Sequence, residues 1–63
     1  MSLEPDKKDK RRAALMSIAE ERGYITLTEA AEALGVSAQT IRRDMNELEK
    51  LGRVKRTHGG ITF

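Results

Sequence analysis

Leu34-Gly35-Val36-Ser37 and, close behind it, Thr40-Ile41-Arg42-Arg43-Asp44 decide how this chain folds. Gly35 can take the left-handed backbone that ends one helix, and Ser37 can accept a backbone N–H at the start of the next. The two helices therefore meet at a corner, which the apolar Val36 plugs. In the second helix Ile41 and Met45 face the core, so Gln39, Thr40, Arg42 and Arg43 project outward.

Upstream of the corner, Thr26-Leu27-Thr28-Glu29 has the form of a capping box, with Thr26 as N-cap and the Glu29 carboxylate reaching back to it. Leu27, Ala30, Ala31 and Leu34 then recur at i, i+3, i+4 and i+7, a narrow apolar face whose alanines let another helix approach closely. Glu29, Glu32 and Ala33 are left to water. A first helix is predicted from about Asp6 to Arg22, where Leu15, Ile18 and Ala19 share one face and Gly23 supplies the stop. Tyr24-Ile25 is a short extended link that can set Ile25 against the core or pair with a later strand.

Downstream, the third helix is predicted from Ala38 to about Leu51, with Ile41, Met45 and Leu48 on its buried side and Gly52 as terminator. At about 100° per residue, Gln39 and Arg43 point almost opposite that stripe. Arg42 and Asn46 flank it on one side, Thr40 and Glu47 on the other. The first half of the helix is basic and polar, the second half acidic. Arg53 to Thr57 alternates as a strand, His58-Gly59-Gly60 can form a turn needing positive φ, and Ile61-Thr62-Phe63 can return as a second strand. In that hairpin Val54, Ile61 and Phe63 face the helices while Lys55 and Arg56 face out. An isolated hairpin is marginal, so it must pack on the helical core. The expected fold is mainly α with a small β-hairpin: a winged helix-turn-helix of three helices plus a wing. Residues 1–5 are expected to be a disordered end, residues 6–63 one domain, with the helix-turn-helix at about 25–45 and the wing at about 53–63.

A chain of 63 residues suits one small core, and folding at that size removes only about 60% of the unfolded surface from water. With no cysteine there is neither a disulfide framework nor a thiolate zinc site, so apolar packing must supply the stability. No apolar run approaches the roughly 20 residues that cross a bilayer, and no signal-peptide pattern appears. The chain therefore reads as cytoplasmic, with no membrane partner. Catalysis fails on inventory: there is a single His and no Cys, no phosphate-binding glycine loop and no expected pocket. One His with scattered carboxylates makes no convincing metal site, and no cofactor is expected.

The net charge is only +2, but Lys7, Lys8, Lys10, Arg11 and Arg12 open the chain, Arg53, Lys55 and Arg56 sit near its end, and Glu20, Glu21, Glu29 and Glu32 lie between. That layout suits a face set on a polyanion, although charged helix surfaces are common in small soluble proteins. The projecting residues sharpen it to double-stranded DNA. Gln39 can offer a bidentate amide to adenine N6 and N7, and Arg43 can grip guanine O6 and N7 or a phosphate; a good bidentate contact discriminates by about 1 to 3 kcal/mol. Ser37 and Thr40 suit phosphates, and Arg42, on the flank, suits the backbone. Lys55, Arg56 and His58 complete the candidate DNA-binding set from the wing, although His58 equally suits a simple turn. Gly59 and Gly60 can serve turn geometry or let the hairpin backbone approach DNA. Asp44 would repel phosphate, so it is expected to be a partly buried acceptor paired with Arg11 or Arg12. The competing class is a winged-helix protein-interaction module, against which Gln39, Arg42 and Arg43 argue; nonspecific nucleic-acid binding is a third.

Gly23, Ala31, Gly35-Val36-Ser37, Thr40-Ile41-Arg42-Arg43-Asp44, Asn46-Glu47-Leu48, Gly52, Arg56 and His58-Gly59-Gly60, in this order, resemble the winged helix-turn-helix domain of the DeoR family of bacterial transcriptional regulators. The resemblance runs from about Lys10 to Ile61. Leu34 stands where that family often has an aromatic, Met45 where it has Leu and Ile61 where it has Ala, all exchanges of core type. The resemblance implies a repressor of sugar or polyol catabolism. It also implies a second, larger domain that senses a phosphorylated sugar or polyol and oligomerises; that sensor domain is expected to be absent here, leaving a monomeric fragment of an oligomeric protein. Tyr24 and the Ala38-Gln39-Thr40 helix start slightly resemble the glycerol-phosphate-responsive branch, without fixing the effector.

Overall fold

The corner predicted at Gly35 to Ser37 joins two of the helices in the computed structural model, which describes residues 7–63. The expected disordered end, residues 1–5, and the predicted helix start at Asp6 lie outside the described residues. The elements run α1 (Lys7–Arg22), β1 (Tyr24–Thr26), α2 (Leu27–Leu34), α3 (Ala38–Lys50), β2 (Lys55–Thr57) and β3 (Gly60–Thr62). Among the described residues no helix is long and apolar enough to cross a membrane.

Local chemistry sets the helix ends. Thr26 is extended at the start of α2, its Oγ1 accepting from the Glu29 N–H at 3.1 Å while its own N–H donates to Glu29 Oε1 at 3.1 Å. Those Thr26 donors, backbone N–H first and hydroxyl second, hold the Glu29 carboxyl below its usual range. An eight-residue helix is too short to stand alone, so its capping box and its packing must hold it. At its far end Gly35 takes φ 66°, and the N–H groups of Gly35 and Val36 both donate to the Ala31 carbonyl. Val36, half-buried against the core, plugs the corner as expected. Ser37 then caps α3, its Oγ accepting from the Thr40 N–H at 3.2 Å.

Leu15 and Ala19 of α1, Ala30 of α2, Ile41, Met45 and Leu48 of α3, and Ile25, Val54 and Ile61 form one buried cluster. The predicted apolar stripe of α3 is therefore its core face. Leu51 falls just past the helix as its C-cap and is 67% exposed.

Both roles left open for Tyr24-Ile25 are filled. β1 is one of the two outer strands of an antiparallel sheet ordered β1-β3-β2, with Ile25 opposite Ile61 and Ile25 wholly buried. The hairpin thus becomes part of a three-stranded sheet, which removes the weakness of an isolated two-stranded ribbon. Gly60 is glycine because of this pairing: a Cβ there would stand 2.1 Å from the Ile25 carbonyl oxygen and 2.8 Å from the Thr26 Cα. The positive φ of the turn falls on Gly59 alone, at 79°. The tip is tied down further, since Leu27 N–H donates to the Gly59 carbonyl at 2.8 Å and the Tyr24 hydroxyl to the His58 carbonyl at 3.1 Å.

Three expectations for the hairpin need correction. Its first strand covers Lys55–Thr57, not Arg53 to Thr57, because the Arg53 N–H donates to the Leu48 carbonyl and is still part of the α3 exit. Phe63 does not face the helices: it follows the last paired residue and is 58% exposed. Gly60 serves neither the turn nor an approach to DNA, being buried against the β1 backbone.

Candidate nucleic-acid interface

The solvent side of α3 follows from its core side. With Ile41, Asp44, Met45 and Leu48 buried, Gln39, Arg42, Arg43 and Asn46 are left exposed. Both guanidiniums, at positions 42 and 43, thus stand on the face away from the core. Ser37 and Thr40 are at the start of the same helix, but their hydroxyls are partly committed. The two oxygens are 2.9 Å apart and hydrogen-bonded to each other, while Ser37 Oγ also accepts the Thr40 N–H. Of the two hydroxyl protons, one lies between them and one is left to donate outward.

On the hairpin Lys55 and His58 are exposed, and Arg56 is half-buried. Arg56 does not simply face out: its Nη1 donates to Asn46 Oδ1 at 2.7 Å, tying β2 to α3. This bond was missed at the level of sequence. No local pattern signals it, because only the fold lays β2 against that flank of α3.

Asp44 is wholly buried, deeper than expected, and it takes both candidate partners instead of one. Arg11 grips it through Nε to Oδ2 and through Nη2 to Oδ1 at 2.8 Å, and Arg12 Nε donates to Oδ1 at 2.9 Å. Burial pushes the carboxyl up, but the bonds from the two guanidiniums outweigh it and hold Asp44 below its ordinary range. The pairing was legible because Arg11 precedes Leu15 by four and Ala19 by eight, which places a cation on the buried stripe of α1. A cation there requires a buried anion opposite it. Asp44, beside Ile41, Met45 and Leu48, is that anion. The ion pair fixes α1 against α3, and so fixes the angle at which the exposed face of α3 is held.

The structure therefore brings Gln39, Arg42 and Arg43 together on one helix face, with the hairpin carrying Lys55, Arg56 and His58 fastened beside it through Asn46.

A sequence model of the DeoR-like helix-turn-helix domain matches residues 11–63. The chain is 44% identical over 54 residues to a lactose phosphotransferase system repressor of Streptococcus mutans, covering 86% of this chain and 22% of the relative. It is 43% identical over 54 residues to a glycerol-3-phosphate regulon repressor of Haemophilus influenzae, covering 86% and 21%. It is 42% identical over 60 residues to the HTH-type transcriptional repressor CsqR of Escherichia coli, covering 95% and 23%. The chain thus spans less than a quarter of the length of these curated relatives. No solved structure matches it significantly. With three helices, a small antiparallel sheet and this match over nearly its whole length, the chain belongs to the family of DeoR-like helix-turn-helix domains.

Proposed function

We propose that this chain binds double-stranded DNA sequence-specifically, as the DNA-binding part of a transcriptional repressor. The observation that carries this is the division of α3: Ile41, Asp44, Met45 and Leu48 are buried, while Gln39, Arg42 and Arg43 all stand in solvent on the other side. α3 enters the major groove, where Gln39 reads adenine and Arg43 reads guanine. Arg42 and the Ser37 and Thr40 hydroxyls bind phosphates and set the register. Lys55, Arg56 and His58 bring the wing onto the adjacent backbone or minor groove. The bond between Arg56 and Asn46 supports this, since it makes the helix and the wing approach the duplex as one surface.

The relatives' names, repressors of a lactose phosphotransferase system and of a glycerol-3-phosphate regulon, support the regulatory part of this proposal. The DeoR resemblance extends it to the whole protein: a cytoplasmic repressor of sugar or polyol catabolism, not an enzyme, oligomeric, and relieved by a phosphorylated sugar or polyol bound outside this domain. The exposed α3 face, polar and charged at Gln39, Arg42, Arg43 and Asn46, favours DNA over a protein partner.

The test is a fluorescence titration of this chain into duplexes selected from a random pool and into mixed-sequence duplex, at two salt concentrations. Tight, salt-sensitive binding with a preference for the selected sequence is expected. Binding without preference would reduce the proposal to nonspecific nucleic-acid association, and no binding would end it.

A further inference from the structure

We propose that the groove between α1 and α3 is a second backbone-phosphate site, in which Lys8 and Arg12 bind the DNA strand on the far side of α3 from the wing; this rests on the DNA-binding reading above. α1 meets α3 through Asp44, and the wing meets it through Asn46. Two residues along a helix are about 200° apart at about 100° each, so the two attachments lie on opposite flanks. A helix seated in the major groove, which is about 12 Å wide, has one phosphate backbone along each flank. The wing serves one of them. An open groove of about 690 Å³ runs from α1 across the solvent side of α3 as far as Asn46, and in it Lys8, Arg12, Arg43 and Lys50 outnumber Glu47 and Glu49; Lys8 and Arg12 stand at its α1 end, the end away from the wing. Glu47 is drawn toward Lys50 at 3.9 Å, at the end of α3, which leaves the Lys8, Arg12 and Arg43 end cationic.

Arg12 is prepared for an anion. Its Nε is spent on Asp44 at 2.9 Å, its side chain is 20% exposed, and its two Nη groups are the donors left for a phosphate. An arginine already fixed by one bond loses little freedom on making the next. Asp44 thus serves the site as a positioning residue, without touching DNA.

The experiment measures the salt dependence of binding of this chain to a mixed-sequence DNA duplex, since phosphate contacts are independent of sequence. Lys8→Ala and Arg12→Gln are each expected to flatten the slope of log K against log salt by about 0.9, the value for one phosphate. Lys7→Ala, which removes the same charge from the same helix but lines a different surface beside Leu34 and Val36, is expected to leave the slope unchanged. Lys55→Ala, on the wing, reports on the parent proposal. Should Lys55→Ala flatten the slope while Lys8→Ala does not, the α1 site is overturned and DNA binding stands. Equal flattening by Lys7→Ala and Lys8→Ala also overturns the site, because it reports general charge and no contact. If the unaltered chain shows no salt-dependent binding, both proposals fall. Lys8→Ala decides the matter if Arg12→Gln does not fold.

Discussion

Replacing Asp44 with asparagine removes one negative charge while nearly preserving volume, and so isolates what the buried ion pair contributes. The carboxylate is wholly buried and accepts from Arg11 Nε, Arg11 Nη2 and Arg12 Nε, whose side chains are each only 20% exposed. Asparagine keeps one carbonyl acceptor but turns an NH2 group toward guanidinium donors. Removing one partner of a buried pair costs about 3 to 5 kcal/mol. Because both arginines still touch water, the lower end, about 3 kcal/mol, is expected. A chain of this length has roughly 3 to 9 kcal/mol of total stability, so the loss is a large share of it. At about 4 to 8 °C per kcal/mol, the midpoint should fall by about 12 °C or more. The assay is thermal and urea unfolding followed by far-ultraviolet circular dichroism at pH 7. The sign with pH follows from the lowered folded-state value of Asp44. Its contribution is complete above the unfolded value of about 3.9 and is lost as pH falls through the folded value, so Asp44→Asn and the unaltered chain should converge in acid. A difference at pH 7 below about 0.5 kcal/mol, the range of an ordinary surface substitution, would refute the reasoning. It would mean that burial costs the carboxylate as much as the two arginines return.

Gly60→Ala should destabilise by more than about 3 kcal/mol in urea unfolding, because its Cβ meets main-chain atoms of β1 that cannot move without opening the sheet. Gly59→Ala, with open space around it and only its φ of 79° to strain, should cost about 1 to 2 kcal/mol; the reverse order would show that β1 does not hold the hairpin. Thr26→Ala should lose about 1 kcal/mol by removing the α2 cap, and an unchanged urea midpoint would count against the capping box. In competition titrations Arg43→Ala should lower the ratio of selected to mixed-sequence affinity, whereas Lys55→Ala should weaken both alike and flatten the salt slope. Equal losses on both duplexes for Arg43→Ala would remove it from base reading.

The elements were legible where local chemistry decides them. The capping box at Thr26 and Glu29, the left-handed stop at Gly35 and the Ser37 cap depend on residues within a turn of one another, and each stands as expected. The Ile41, Met45 and Leu48 spacing is equally local, and it predetermined which residues of α3 face water. Where several distant groups competed, the sequence left choices open. Arg11 and Arg12 were both candidates for Asp44, and only the placement of α1 over α3 let one carboxylate take both.

What the linear order of residues settled alone is therefore the helix-turn-helix and its outward cationic face, because periodicity and caps act over one or two turns of chain. What only tertiary structure decided is how the wing is held. Gly60 reads as a turn glycine until β1 is laid across it, Arg56 reads as a free cation until α3 brings Asn46 to it, and Phe63 reads as core until the sheet ends before it. Each of those outcomes depends on atoms from segments far apart in sequence, whose approach no local pattern encodes.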